Sequence, residues 1–189
     1  MSDASSTLRT TRFSGIALIE STGPLGMISL RGTFDDKGFS GAVNKVCGLD
    51  IPKPRKITRS ESKTLIWMSP DELLLTLPHQ DAGAKLVALE RELDGIHALV
   101  VNVSDARVVF DVSEGHARDV LAKLFPINMS SDAFKLGTIR RSRLAQIPAA
   151  VWMEDTDRFR VVCFRSVSQY AFDVLSLAAA PGSEVALHV

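Results

Sequence analysis

TLIWMSPDELLLTL, residues 64–77, consists of two apolar runs on either side of a Ser-Pro-Asp turn, and it is the strongest signal for the fold in this chain. Proline presets the backbone φ angle for a tight reversal, and each apolar run has the length of a strand. The sequence therefore predicts an antiparallel hairpin here.

A similar stretch recurs in the second half of the chain. Residues 150–153, AVWM, resemble residues 65–68, LIWM, and each stretch is followed by an acidic turn and an apolar strand. Because Trp67 and Trp152 stand in register in this comparison, we expect an internal repeat with both indoles buried at equivalent positions.

Outward from the first hairpin, the pattern predicts further elements. The alternating residues 26–31 indicate a strand, and Thr33 with Asp36 resembles a capping box that begins a helix over residues 35–47. Gly48 ends that helix. A helix after residue 80 and an apolar strand over 98–103 complete a β-α-β-β-α-β order.

The second half repeats this order. It predicts a strand over 107–112, a helix over 115–124, a strand over 138–144, the second hairpin, and a closing helix whose inner stripe includes Tyr170. The fold class expected is therefore α+β: two ferredoxin-like βαββαβ-type lobes related by pseudo-twofold symmetry, with mostly antiparallel sheets and helices on one side of each sheet.

The domain boundaries follow from the same elements. Residues 1–12 lack hydrophobic periodicity and are expected to form a flexible arm. We expect the first lobe over 13–104, the second lobe over 105–180 and a C-terminal tail over 181–189, with both lobes in one compact unit.

Composition excludes several classes of function. The 22 basic and 22 acidic residues cancel, so nothing favours binding to nucleic acid or to an anionic membrane. Since neither a long apolar segment nor a secretory signal is evident, a cytoplasmic protein is expected. Cys47 and Cys163 stand far apart in apolar surroundings and are predicted to be reduced core residues.

Residue types that carry chemistry form no recognisable constellation. The four histidines lie at unrelated positions, no metal-ligand spacing occurs, and the glycine patterns that cradle nucleotide phosphates are lacking. The sequence thus predicts no catalytic residue, no metal site and no cofactor bound by this chain itself.

Arg140, Arg141 and Arg143 form the one candidate contact site. Their guanidinium groups offer forked hydrogen-bond donors, and on a strand Arg141 and Arg143 share one face while Arg140 lies on the other. Three interpretations stay open, namely a solvated sheet edge, a contact with a partner chain and a small-anion site.

Several motifs together resemble the gamma subunits of heterotetrameric sarcosine oxidase. Residues 67–75, WMSPDELLL, are followed by VSDAR at 103–107, and the similarity continues through ARDVLAK at 117–123 and LAQIP at 144–148. The resemblance covers about residues 25–180, and it depends on the order and spacing of these motifs rather than on any one of them.

This resemblance implies a non-catalytic structural subunit of an enzyme complex. Such a complex oxidatively demethylates sarcosine to glycine, with formation of hydrogen peroxide and methylenetetrahydrofolate. In that family the alpha, beta and delta subunits are the partners, and FAD, FMN, NAD and tetrahydrofolate belong to them. The gamma chain is also similar to the folate-binding lobes of aminomethyltransferases.

Two other functions stay open beside this one. The leading hypothesis is an accessory subunit whose exposed apolar area, including the sheet faces opposite the helices, is buried by partners. The first alternative is a free-standing, folate-dependent aminomethyltransferase-like protein with a pterin in the groove between the lobes. The second alternative is a small-ligand module that uses the three arginines as an anion clamp.

Overall fold

A computed structural model describes residues 11–185. The strands in this range are β1 (Arg12–Ser14), β2 (Leu18–Ser21), β3 (Leu25–Arg31), β4 (Ile57–Arg59), β5 (Thr64–Ser69), β6 (Glu72–Pro78), β7 (Leu99–Asn102), β8 (Arg107–Ser113), β9 (Ile139–Leu144), β10 (Ile147–Asp155) and β11 (Arg158–Phe164). The helices are α1 (Lys37–Cys47), α2 (Ala82–Glu92), α3 (Ala117–Leu124) and α4 (Ser168–Ala178).

The strands form two antiparallel sheets. The first sheet has the order β4-β5-β6-β3-β7, and the second has the order β1-β2-β8-β11-β10-β9. The hairpin predicted from residues 64–77 is β5 paired with β6, and its counterpart is β10 paired with β11. The predicted α+β class, with two antiparallel sheets and helices against them, is confirmed.

Helices cover the outer face of each sheet. Helices α1 and α2 pack on the first sheet around a core that includes Phe39, Val43, Leu73 and Leu89. Helices α3 and α4 pack on the second sheet around a larger core that includes Phe110, Val120, Phe159 and Leu175. Burial of these apolar side chains is the main favourable term that holds each helix on its sheet.

The inner faces of the two sheets pack against each other. Met27, Ile66 and Leu74 of the first sheet share one buried cluster with Trp152 and Val162 of the second sheet. The layers therefore run helix, sheet, sheet, helix. This arrangement corrects the expectation that the sheet faces opposite the helices are left for partner chains, because each sheet already covers the apolar face of the other.

The N-terminal strands lie in the second sheet. Strand β2 pairs with β8, with Leu18 opposite Ser113 and Ser21 opposite Phe110. In the second sheet β2 lies next to β8, just as β7 lies next to β3 in the first sheet. Strands within the expected first lobe, residues 13–104, thus belong to the second sheet. The division of the chain into two lobes near residue 104 stays a proposal.

The expected arm and tail fall mostly on residues outside the described range. Residues 1–10 and 186–189 lie beyond it. Arg12, the last residue of the expected arm, is instead the first residue of β1 and pairs with Glu20.

Helix α1 begins at a different cap from the predicted one. The Asp36 side chain accepts a hydrogen bond from the Phe39 backbone N–H at 2.7 Å, so Asp36 rather than Thr33 is the N-cap. Gly48 ends the helix in the left-handed conformation with φ of 70°, as predicted. In α4, Tyr170 is exposed rather than part of the inner stripe, which is formed by Ala171, Leu175 and Ala178.

The two tryptophans are not at equivalent positions, contrary to the expected register. The last paired residues before each turn are Ser69–Glu72 and Asp155–Arg158. Trp67 lies two residues before Ser69, whereas Trp152 lies three residues before Asp155. A shift of one residue turns a strand side chain to the opposite face. Trp152 accordingly lies fully buried between the sheets, whereas Trp67 is half-buried on the helix side.

Gly15→Ala is expected to destabilise the fold by about 1–3 kcal/mol. A Cβ atom on Gly15 would lie 1.9 Å from the carbonyl oxygen of Ala179, which also accepts a hydrogen bond from the Ile16 N–H. The N-terminal strands would have to move away from the end of α4. Urea unfolding followed by circular dichroism measures the loss.

Gly41→Ala is the matched control for this variant. Gly41 lies inside α1 with open space around it, so the same added methyl group is expected to stabilise the helix by about 0.5–1 kcal/mol. If Gly15→Ala matched the stability of the unaltered protein, the close packing of residue 15 against Ala179 would be refuted.

Candidate functional site

Four arginines meet where the buried layer between the sheets ends. Arg31 is the last residue of β3, Arg107 is the first residue of β8, and Arg141 and Arg143 lie on β9. Together with Glu72, the first residue of β6, they line a cleft of about 490 Å³. We name this feature the arginine cleft.

Glu72 is the buried carboxylate that the arginines of the arginine cleft contact. It is only 5% exposed, and its carboxylate accepts hydrogen bonds from the Ser29 hydroxyl at 3.2 Å and from Arg31 at 3.1 Å. Guanidinium nitrogens of Arg141 and Arg107 lie 3.5 Å and 3.8 Å from its oxygens. Because a buried carboxylate needs such partners, Glu72 ties the first sheet to two strands of the second.

Arg107 is the most buried of the four arginines. Its Nε atom is buried, and no hydrogen-bond partner for it lies among residues 11–185. Burial lowers the pKa of its guanidinium group, Glu72 opposes that shift and Arg141 adds to it. The guanidinium carbon lies 5.2 Å from the ring centre of Phe164, a cation–π contact.

Strand β9 places the three arginines singled out from the sequence in two locations. Arg141 donates to the Met68 carbonyl at 3.0 Å, and Arg143 donates to the Gln146 carbonyl at 3.3 Å. Both line the arginine cleft. Arg140 lies outside it and donates to the Ile139 carbonyl at 2.8 Å, and burial together with the nearby Arg55 lowers its pKa.

The sequence reasoning missed Arg31, Arg107 and Glu72 as members of this site. Arg31 and Glu72 face each other in the β3–β6 register, so the strand prediction contained a signal for that pair. No local pattern brings Arg107 to Glu72, because that contact needs the two sheets to be packed on each other.

The arginine cleft carries an excess of positive charge. Among residues 11–185, the carboxylates within ion-pair distance of its four guanidinium groups are those of Glu72 and of the more exposed Asp71, which lies 3.6 Å from Arg31. The Ser69 hydroxyl donates to Asp71 and lowers the pKa of this carboxyl, which stays charged at neutral pH. Two of the four positive charges are therefore left unbalanced.

A balanced cluster lies on the same inner face at the other end of the second sheet. Asp111 contacts Arg158 and Arg160, and Arg160 lies 3.6 Å from Glu154. Glu154 also accepts a hydrogen bond from the Trp152 indole at 2.7 Å. Two carboxylates thus face two arginines in this cluster, in contrast to the arginine cleft.

His116 is engaged in a local contact. His116 Nδ1 lies 3.1 Å from the carboxylate of Asp119 in the first turn of α3. Within residues 11–185, no group of three or more His, Cys, Asp or Glu side chains is placed to hold a metal ion. In the same range, no helix has the length and apolar character needed to cross a membrane.

Raising the pH above about 9 is expected to destabilise the protein through its two cysteines. Both thiols are free and buried, and burial raises the pKa of Cys47 and of Cys163 to about 11. An unfolded thiol ionises near pH 8.5, so the unfolded state loses these protons first. The two protonated thiols therefore contribute their full stability below that pH, and this contribution is lost as the pH rises towards 11.

Urea unfolding at pH 7.5, 9 and 10 under reducing conditions measures this effect. The Cys47→Ala, Cys163→Ala double variant is the control, since it should lose less stability over the same interval although it is less stable at pH 7.5. Equal losses in both proteins would show that the thiols do not contribute.

Comparison with known proteins gives consistent matches. A family model described as the sarcosine oxidase, gamma subunit family matches residues 31–181. Sarcosine oxidase subunit gamma of Corynebacterium sp. (strain P-1) is 28% identical over 128 residues, which cover 66% of this chain and 61% of that protein. Its counterpart from Arthrobacter sp. is 28% identical over 120 residues, 61% of this chain and 58% of that protein. The alignments thus span less than two thirds of these relatives.

Two solved structures share the fold. A chain of the heterotetrameric sarcosine oxidase from Corynebacterium sp. U-96, in complex with pyrrole 2-carboxylate, superposes with a TM-score of 0.81 at 21% identity and covers 89% of this chain and 87% of that one. The glycine cleavage system aminomethyltransferase T from Bartonella henselae gives a TM-score of 0.61 at 14% identity and covers 82% of this chain and 44% of that one.

Proposed function

The chain belongs to the sarcosine oxidase gamma subunit family, and from this we propose that it is the gamma subunit of a heterotetrameric sarcosine oxidase. The family match over residues 31–181 is the observation that carries the proposal. The fold shared with a chain of the Corynebacterium sp. U-96 enzyme supports it, since that enzyme is heterotetrameric.

The proposal includes the reaction and the partners. The complex oxidatively demethylates sarcosine to glycine, with formation of hydrogen peroxide and methylenetetrahydrofolate. Alpha, beta and delta subunits are the partner chains, and they hold FAD, FMN, NAD and tetrahydrofolate. The complex is cytoplasmic in this proposal.

Within the complex, the gamma chain is proposed to have a structural rather than a catalytic role. Two largely buried carboxylates of this chain already form ion pairs with its own arginines, which supports this role. The Glu72 carboxylate is surrounded by three arginines and the Ser29 hydroxyl, so its oxygens are already paired within the chain. Asp111 is likewise held by two arginines.

A free-standing, folate-dependent aminomethyltransferase-like protein is the alternative. The fold shared with aminomethyltransferase T favours it, but the inner faces of the two sheets fit a pterin poorly. The space between them is filled by Met27, Ile66 and Trp152, and the Glu72 carboxylate at its end is already paired. We therefore assign no step of folate chemistry to these residues.

Co-expression with the larger subunits of the complex tests the proposed function. The tagged gamma chain is expected to copurify with flavin-bearing chains, identified by mass spectrometry, and to raise the yield or thermal stability of the assembled enzyme. The isolated chain should show neither flavin absorbance nor peroxide production with sarcosine. Saturable binding of tetrahydrofolate by the isolated chain, without copurification, would instead establish the alternative.

A further inference from the structure

We propose that the arginine cleft receives an acidic segment of a partner subunit, with a carboxylate seated beside Arg107, Arg141 and Arg143. This inference rests on the proposed function, because it names the surface through which the gamma chain joins the complex. The sequence predicted a contact site of Arg140, Arg141 and Arg143. The proposed site keeps Arg141 and Arg143, lacks Arg140, and gains Arg31 and Arg107.

Charge is the first argument for an acidic partner. Four guanidinium groups share the cleft with Glu72 and Asp71, whereas arginines and carboxylates balance at the opposite end of the sheet. Crowded like charges are unfavourable: burial is the main cause of the lowered pKa of Arg107, and the nearby charge of Arg141 lowers it further. A carboxylate from outside would relieve this repulsion and gain charge-assisted hydrogen bonds.

Exposed apolar side chains frame the arginines and form the second argument. Phe164 is 49% exposed and is the register partner of Arg107. Leu99 is 55% exposed and is the register partner of Arg31. Arginine and aromatic residues are enriched at the hot spots of protein interfaces. A small free anion would leave Phe164 and Leu99 exposed, whereas a partner chain can cover them.

The shape of the cleft also suits a peptide segment. With a volume of about 490 Å³, it is large enough for more than one side chain. Its wall is formed partly by β9, the last strand of its sheet, which pairs with β10. The outer edge of β9 is bonded at its first residue, where the Ile139 N–H donates to the Arg55 carbonyl. Beyond Ile139, no backbone hydrogen bond from residues 11–185 reaches this edge. A segment of a partner chain can therefore lie along this edge while one of its acidic side chains enters the cleft.

Arg143→Glu is the variant that tests the inference. In the described structure, Arg143 donates a hydrogen bond only to the Gln146 carbonyl, so reversal of its charge is expected to leave folding intact. We expect at least tenfold weaker assembly with the larger subunits, measured as the concentration of gamma chain needed for half-maximal complex formation. Arg143→Gln should give a smaller loss.

Arg91→Glu is the matched control, since it makes the same charge change on the exposed side of α2. It is expected to assemble like the unaltered chain. Hydrogen exchange adds a second measurement, in which amides of β9 are expected to become protected in the complex. The inference is overturned if Arg143→Glu assembles normally, if Arg91→Glu causes an equal loss, or if β9 gains no protection.

The two proposals can fail separately. If the unaltered chain does not copurify with the larger subunits, the proposed function fails and this inference fails with it. If the unaltered chain assembles and Arg143→Glu assembles equally well, the proposed function stands and only the arginine cleft is excluded as the contact.

Discussion

Replacement of Trp152 by alanine is expected to lower the free energy of unfolding by about 3–5 kcal/mol. The indole is fully buried between the two sheets, so its removal leaves a cavity in a layer built from rigid strands. The hydrogen bond from its Nε1 atom to Glu154 is lost as well. Urea unfolding followed by far-ultraviolet circular dichroism measures the change.

Trp67→Ala is the control for this large effect. Trp67 is half-buried and lines a surface groove with Phe34 and Pro54, so less apolar area returns to water and solvent fills the space that is left. We expect a loss of less than half that of Trp152→Ala. Equal losses would contradict the difference in register between the two hairpins and would restore the equivalence suggested by the sequence.

Glu72→Gln is expected to destabilise the protein by about 3 kcal/mol. The amide keeps the shape of the side chain, but it removes the negative charge that faces Arg31, Arg107 and Arg141. Three guanidinium groups then repel one another beside a buried layer. Thermal unfolding at low ionic strength should show the largest loss, and added salt should reduce it.

Asp71→Asn is the control for charge alone. Asp71 is adjacent in sequence and also faces Arg31, but its side chain is mostly exposed, so its removal is expected to cost much less stability than Glu72→Gln. If Glu72→Gln cost no more than Asp71→Asn, the view of Glu72 as the link between the two sheets would be wrong.

Local chemistry made much of the fold predictable. The Ser69–Pro70–Asp71 turn and the apolar runs beside it specify β5 and β6 without help from the rest of the chain. Gly48 ends α1 because glycine adopts positive φ easily. Even the error at the start of α1 is local, since Thr33 and Asp36 are both favourable caps and only the chain path decides between them.

Contacts between distant parts of the chain could not be predicted in this way. No element was predicted over residues 12–21, where β1 and β2 lie, and nothing in this short stretch indicates which sheet these strands join. The match between Trp67 and Trp152 aligned residue types, but the two tryptophans lie at different distances from their turns, two residues before the final pair in one hairpin and three in the other. Proline marks the position of the first turn, whereas the second turn has no proline to mark it. A difference of one residue is enough to turn a side chain to the opposite face.

The candidate site depended on the same long-range contacts. Arg141 and Arg143 were identified because they are close in sequence, but their neighbours in the arginine cleft come from β3, β6 and β8. The packing of one sheet on the other creates this site. Sequence reasoning that left the inner sheet faces open for partners could not have found it.

The pairing of β2 with β8 has a consequence for the order of events during synthesis. A ribosome makes the strands β1 and β2 first, but the hydrogen bonds between Thr22 and Val109 join residues 87 positions apart. The first sheet, by contrast, draws all its strands from one continuous stretch between Leu25 and Asn102. The nascent chain can thus complete the first sheet while its opening strands still lack their partner, and closing that long loop belongs to the late, slow part of folding.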